Sequence, residues 1–352
     1  MTDVVKEDLE QILARLDGRT DQLAGSTVLI AGGGGFLPSY IVDVLLYANR
    51  VALSKPCKVI CVDNFVTGVP ERLAHLGSRD DFQLIVQDIV QPLPPLEHVD
   101  YIVHGASIAS PITYRRYPLE TVKVNVWGTE NLLELSRQQK IKSFLYLSSS
   151  ETYGDPDPAR VPTPEDYWGN VSCTGPRACY DESKRLAESL CSIYQREFGV
   201  PVKIIRPFNV YGPRLNLNDG RIIPDLLKNA LSGEHLTLYS DGRATRSFCY
   251  ISDAVTAMLL LMLTDRNGEA FNVGNDEEVS IEHVARQVDK LFQEKLGVRF
   301  AKSDDPNYLT DNPNRRCPDL RKTKSTISWQ PVVSLEDGIA RTVRWYQEAG
   351  VS

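Results

Sequence analysis

Residues 27–47 read T-V-L-I-A-G-G-G-G-F-L-P-S-Y-I-V-D-V-L-L-Y. Thr27 to Ala31 form an apolar run of strand length, four glycines with F-L-P form a turn, and Ser39 to Tyr47 have the apolar density of a buried helix. A strand, a glycine turn and a helix in that order open a βαβ unit. The turn lets the backbone approach a pyrophosphate, and the free N–H groups and partial positive charge of the helix N-terminus favour an anion there. Gly32 and Gly35 fill the first two positions of such a loop, whereas Pro38 stands where a third glycine is usual. Proline costs little in a first helical turn, but it is bulkier than glycine where helix and strand pack, so a change in loop geometry is expected.

Outward from this unit, short apolar runs recur at 58–62, 83–86, 100–104, 143–148 and 202–206, with helical patterns between several of them. Parallel strands need long crossovers, which helices fill, so the expected fold is α/β: a Rossmann-like, doubly wound parallel sheet covered on both faces. Past Arg206 the alternation weakens. Prolines and glycines precede new helical patterns at 223–232 and 251–264, and the run A-F-N-V-G at 270–274 is again strand-like. The expected division is a helical extension over 1–25, a cofactor-binding domain over 26–206 to which 247–276 returns, and a smaller substrate-binding lobe from 207–246 and 277–352. In the extension, Val5, Leu9, Ile12, Leu13 and Leu16 share a helix face, to be covered by the chain's own domain or by a second subunit. Residues 301–319 are polar and interrupted by proline, and are expected to form a long loop.

Asp63 ends the second strand, where a carboxylate can accept hydrogen bonds from ribose hydroxyls and repel a 2′-phosphate; this favours NAD over NADP. Asp88 ends the next strand and either contacts adenine or caps its own loop. A second informative stretch runs S-S-S-E-T-Y-G-D-P from Ser148 and closes with Y-D-E-S-K at Lys184. Tyr180 and Lys184 are one helical turn apart, so an ammonium sits near a phenol and is expected to lower its pKa. Glu151 follows a strand and is a candidate acid or base.

The net charge of −7 argues against a nucleic-acid binder, which needs a basic surface. Seven scattered cysteines without a C-x-x-C pair fit reduced structural thiols, and no metal site is expected. The start M-T-D-V-V-K-E-D lacks an apolar signal core, no apolar run has the length of a membrane span, and a cytoplasmic location is expected.

Several blocks together resemble the extended short-chain dehydrogenase/reductases that act on nucleotide sugars. They are G-G-G-G-F-L, V-D-N-F-V-T-G, H-G-A-S-I-A-S-P-I-T-Y, S-S-S-E-T-Y-G-D-P, R-P-F-N-V-Y-G-P-R, N-D-G-R and R-R-C-P-D-L. The block Y-W-G-N-V-S-C-T-G-P-R-A-C-Y-D-E is similar to the UDP-glucuronate decarboxylase branch in particular. The resemblance implies NAD held by Gly32, Gly35, Phe36, Leu37, Asp63, Asn64, Asp88, Ile89, Ser107 and Asn125, with Tyr180 and Lys184 beside the nicotinamide ribose. It implies a UDP-sugar near Tyr114, Ser150, Glu151, Asn209, Arg214, Arg221, Arg246 and Arg316. The catalytic set would be Tyr180, Lys184, Glu151, Ser150 and Arg316. A homodimer is implied through helices near 116–137 and 177–198.

The implied reaction oxidises the sugar at its 4-position, loses carbon dioxide from the resulting β-keto acid, and reduces the ketone again. A 4,6-dehydratase usually carries an aspartate where this chain has Ser150. A 4-epimerase using the same Tyr180 and Lys184, and a decarboxylase that releases the 4-keto-pentose, are the enzymatic alternatives; a catalytically silent NAD-binding scaffold is the non-enzymatic one. Ile108 and Cys317 depart from the usual proline and lysine of the decarboxylases.

Overall fold

The structure, a computed structural model, describes residues 2–77, 79–303, 310 and 313–350. Seven parallel strands form the central sheet: β1 (Thr27–Ala31), β2 (Lys58–Asp63), β3 (Phe82–Val86), β4 (Tyr101–His104), β5 (Ser143–Leu147), β6 (Val202–Pro207) and β7 (Glu269–Val273). Their order is β7-β6-β5-β4-β1-β2-β3. In the register, Ile30 of β1 lies opposite Cys61 of β2 and Val103 of β4. The order reverses between β1 and β4, so the crevice beyond their carboxyl ends is where a ligand is expected in such a sheet.

The unbroken apolar character of β1 follows from its position. Side chains alternate across a strand, and both sheet faces are covered. Val28 and Ile30 join one core with Tyr40, Ile41 and Leu45 of α2 (Phe36–Val51). Leu29 and Ala31 join the other core with Leu132 and Leu133 of α3 (Pro118–Gln139) and with Ala187 and Cys191 of α4 (Ala178–Phe198). A side chain such as Ile30, fully removed from water, contributes roughly 1.5–3 kcal/mol. Helix α5 (Ile251–Met262) is buried at every residue, and its closing M-L-L-L-M at 258–262 is apolar without a break.

The N-terminal helix α1 (Asp3–Leu16 in the chain, first in order) packs on α5, on α2 and on α6 (Leu335–Glu348), so its apolar face is covered by its own chain. Within that face Asp8 is fully buried. It accepts hydrogen bonds from Tyr250 Oη at 3.0 Å and Tyr40 Oη at 3.3 Å, and pairs with Arg341 at 3.4 Å. Burial raises its pKa to about 6 despite these partners.

Beyond the sheet's carboxyl edge, helix Ile222–Leu231 packs on helix Ile281–Leu291. Strand Thr245–Ser247 pairs with Glu278–Ser280 on one side and with Arg315–Arg316 on the other. The polar segment 301–319 is therefore not loop throughout; Arg315–Arg316 adds to a small sheet, and 304–309, 311 and 312 lie outside the described residues.

Candidate active site

The glycine turn places Gly32 at φ +81°, a conformation that strongly favours glycine, and a Cβ there would meet the Ala106 backbone at 2.7 Å. Gly35 stands just before α2, whose first turn holds Phe36, Leu37 and Pro38. Pro38 does not crowd the strand, because the space it needs is left open by Gly105 at the end of β4. A Cβ on Gly105 would lie 2.5 Å from Pro38 Cγ. The close helix-to-strand approach that a third loop glycine would provide is thus supplied from the opposite side.

Asp63 is buried, and its two carboxylate oxygens accept from Gly34 N at 2.8 Å and Phe65 N at 2.7 Å. Burial raises its pKa, while these N–H groups and Arg72 oppose the rise. Asn64 and Asp88 each close a turn by accepting from the N–H two residues on. Gly32, Asp63, Asn64, Asp88, Ile89 and Ser107 line one cavity of about 110 Å³. A neighbouring cavity of about 460 Å³ is reached from Gly35, Phe36 and Leu37 and extends to Tyr114, Ser150, Tyr180, Lys184 and Asn209.

Helix α4 projects Tyr180 and Lys184 into this second cavity, both buried. Lys184 Nζ donates to Leu147 O at 2.7 Å and lies 5.0 Å from the Tyr146 ring centroid and 5.9 Å from that of Tyr180. Burial lowers its pKa to about 7, with Glu188 opposing. The expected lowering of the phenol is not what the structure gives. Burial pushes Tyr180 up to about 12, Ser149 and Arg221 pull it down, and Glu151 and Asp181 push it further up. Tyr114 stacks on Tyr180 with ring centroids 5.1 Å apart, and its buried hydroxyl has no hydrogen-bond partner among the described residues.

Glu151 lies in the short 3₁₀ turn Ser150–Tyr153 that follows β5. One carboxylate oxygen is hydrogen-bonded by Arg177 and the other by Arg316. Burial alone raises its pKa, but the two guanidiniums outweigh that and hold it at about 2. Strand pairing puts Arg316 directly beside Arg246, whose pKa falls to about 10 through burial and then the Arg316 charge. Glu151, Arg177, Arg221, Arg246 and Arg316 line a third cavity, of about 880 Å³, in a chain that is acidic as a whole. Glu151, Arg177, Asn209 and Arg221 border both larger cavities, which makes the two a continuous groove. Asn209 adopts φ +38° and donates to Ser247 O at 3.0 Å, fixing its side chain at that junction.

Two expected contact residues are placed otherwise. Asn125 is buried behind the cavity wall: Ser107 Oγ donates to it at 2.7 Å and it donates to Ser183 Oγ at 2.9 Å, so it braces Ser107 against α4. Arg214 lines neither large cavity; it pairs with Asp43 at 2.6 Å and covers the Tyr40 ring at 5.3 Å. Three residues outside the expected set take part in the site. Ser149, next to Ser150, favours the ionised form of Tyr180. Arg177 grips Glu151, and Gly105 makes room for Pro38. Arg177 lies one residue before α4 and three before Tyr180, a position that marked it as near the site without naming its partner.

Residues 28–274 match the family described as NAD dependent epimerase/dehydratase family. The chain belongs to that family. It is 40% identical over 321 residues to UDP-glucuronic acid decarboxylase 1 of Xenopus tropicalis, covering 91% of this chain and 72% of that protein. It is 40% identical over 312 residues to UDP-glucuronic acid decarboxylase 5 of Arabidopsis thaliana, covering 89% and 86%. Among solved structures it is similar to a UDP-glucuronic acid 4-epimerase from Bacillus cereus in complex with UDP-glucuronic acid and NAD, with TM-score 0.75, 26% identity and coverage of 92% and 99%. It is also similar to UDP-glucose 4-epimerase from Thermotoga maritima with UDP-glucose, with TM-score 0.80, 25% identity and coverage of 92% and 99%.

Like its relatives in the epimerase/dehydratase family, this is an NAD-dependent enzyme. Its residues fit the cofactor. The turn at Gly32 to Gly35 leaves the N-terminus of the 16-residue α2 open, and Asp63 presents a carboxylate beside it.

Proposed function

We propose that this enzyme converts UDP-glucuronate to UDP-xylose and carbon dioxide, without net oxidation or reduction. The observation that carries this reading is the Arg177–Glu151–Arg316 cluster at the junction of the Tyr180 cavity and the arginine-lined cavity. Two guanidiniums on one carboxylate form a site that a second carboxylate, that of the sugar acid, would enter by competition. A neutral sugar offers nothing to that pair. The 40% identity to UDP-glucuronic acid decarboxylases over most of the chain supports the same conclusion.

In this reading Gly32, Gly35, Phe36, Leu37, Asp63, Asn64, Asp88, Ile89 and Ser107 hold the cofactor. Bound NAD supplies reversible hydride exchange at the sugar's 4-position. Tyr180 acts as its phenolate, a form that the charges of Lys184 and of bound NAD's nicotinamide would favour against the burial that raises its pKa, and so takes the 4-hydroxyl proton onto its oxygen, with Ser149 beside it. A 4-ketone lies β to the carboxylate, so the electron pair left by departing carbon dioxide spreads onto the ketone oxygen as an enolate. Glu151 and Arg316 direct the proton that returns to that carbon, and Ser150 orients the reacting end. Asn209, Arg221 and Arg246 take the diphosphate side, and Tyr114, stacked on the Tyr180 ring, borders the sugar.

The domain division is proposed on the same basis: 26–206 with 247–276 around the cofactor, and 207–246 with 277–352 around the sugar nucleotide. A homodimer through α3 and α4 is proposed from their mutual packing and from five exposed apolar residues on them: Leu119, Trp127, Leu186, Ile193 and Phe198. Light scattering of the purified enzyme tests it, and a monomer at micromolar concentration would remove it. A cytoplasmic location stays a reading of the sequence. Among the described residues no helix is long and apolar enough to cross a membrane.

The experiment for the reaction is incubation with UDP-glucuronate, followed by carbon dioxide capture and chromatography of the sugar nucleotides. UDP-xylose in equal amount to carbon dioxide is expected. A 4-epimer without carbon dioxide would favour epimerisation.

A further inference from the structure

A further cavity of about 590 Å³ lies behind the loop 214–218, which forms a wall shared with the catalytic groove. Its walls include Arg72, His75, Arg214, Lys228, Trp345 and Leu217, with Glu71 the one carboxylate among the lining residues. Asp43, behind the wall, pairs with Arg214 at 2.6 Å and is hydrogen-bonded to His75 Nε2 at 2.7 Å. Among the described residues Arg72 and Lys228 have no carboxylate partner within ion-pair distance. Among the described residues Arg72 donates only to carbonyls, those of Gly34 at 2.9 Å and Arg214 at 2.7 Å, and Lys228 only to Asn218 Oδ1 at 2.8 Å. Burial, and then the neighbouring Arg214, lower the Arg72 pKa to about 10, with Tyr346, Asp219 and Asp63 opposing. The lining is also aromatic, with Trp345 set edge-to-face on Tyr346 at 4.9 Å.

We propose that this cavity binds a mononucleotide as a regulatory ligand, its phosphate on Arg72 and Lys228 and its base against Trp345. The volume suits such a ligand, and a planar ring beside a cationic cluster is the complement of a nucleoside phosphate. The site bears on the groove through atoms already in contact. Arg72 holds Gly34 of the cofactor turn, and Tyr346 Oη donates to Leu215 O of the shared loop. Val69, Arg72, Leu215, Asn216 and Asn218 border both this cavity and the one containing Tyr180. A phosphate drawing Arg72 outward loosens its bond to Gly34, so the occupant lowers the affinity for NAD.

The test uses full-length enzyme saturated with NAD and with UDP, so that both known nucleotide sites are filled, and AMP as the probe. AMP is expected to quench tryptophan fluorescence and release heat. Lys228→Glu should weaken that binding at least tenfold, and Trp345→Phe should remove the quenching while heat remains. Both variants should keep basal turnover within twofold. Absence of AMP binding at millimolar concentration, equal affinity in Lys228→Glu, or an apparent AMP affinity that keeps falling with added NAD without reaching a limit, the mark of direct competition, would each overturn the site. Inorganic phosphate binding as tightly as AMP would overturn the nucleotide assignment. Binding is read without turnover, so it is independent of whether the enzyme decarboxylates.

Discussion

Replacing Glu151 by glutamine tests the cluster that separates decarboxylation from the redox chemistry common to the family. Glu151 is held at about 2 against an ordinary 4.5, so its ionised form is favoured in place by about 3 kcal/mol. Glutamine keeps the volume and removes the charge. Arg177 and Arg316, both largely buried, then face each other across a neutral amide. Removing one partner of a buried ion pair typically costs about 3–5 kcal/mol, and the groove's access to solvent places this case near the lower figure. That is within the stability of a domain of this size, so the variant is expected to fold with a lowered melting temperature. Tyr180, Lys184 and the glycine turn are untouched, so the NAD content of the purified protein should match wild type. Without the group that directs the proton, kcat should fall by about 10²–10⁴. Carbon dioxide release from labelled UDP-glucuronate measures this directly. A variant with full NAD and kcat within threefold of wild type would refute the role given to Glu151.

Other perturbations bear on separate parts of the account. Gly105→Ala places a methyl group 2.5 Å from Pro38 Cγ and should reduce bound NAD in the purified protein; adding Pro38→Ala should restore it, and no change in either would refute the packing argument. Arg177→Lys keeps a charge but not the planar fork, and should raise KM for UDP-glucuronate by about tenfold or more, seen in initial rates. For Asp8 the native pKa, about 6, lies above the ordinary 3.8, so its contribution to stability is full below pH 3.8 and lost as pH rises through 6. Asp8→Asn should therefore be more stable than wild type at pH 8, by up to about 3 kcal/mol, and show no such gain near pH 4; urea unfolding at the two pH values measures it.

What the sequence revealed was what lies close together along it. The turn at Gly32 to Gly35, Asp63 at its strand end, and the Tyr180–Lys184 pair each depend on a single element and its period. Arg316 and Glu151 are 165 residues apart, and only the pairing of Arg315–Arg316 beside Thr245–Ser247 brings that guanidinium to the 3₁₀ turn. Arg214 illustrates the converse. Its motif placed it near the groove, but φ +69° turns its side chain away to Asp43. Asn125 needed the three-dimensional course of α3 against α4 before its partners Ser107 and Ser183 could be recognised. The phenol's upward shift was equally hidden, because spacing counts the nearby ammonium and not the burial that outweighs it.

The most direct test of the central claim is a product balance on the wild-type enzyme supplied with UDP-glucuronate and only catalytic NAD. One carbon dioxide and one UDP-xylose per UDP-glucuronate consumed, with no accumulating NADH, is the predicted result. Consumption with the carboxylate retained in the product would contradict it.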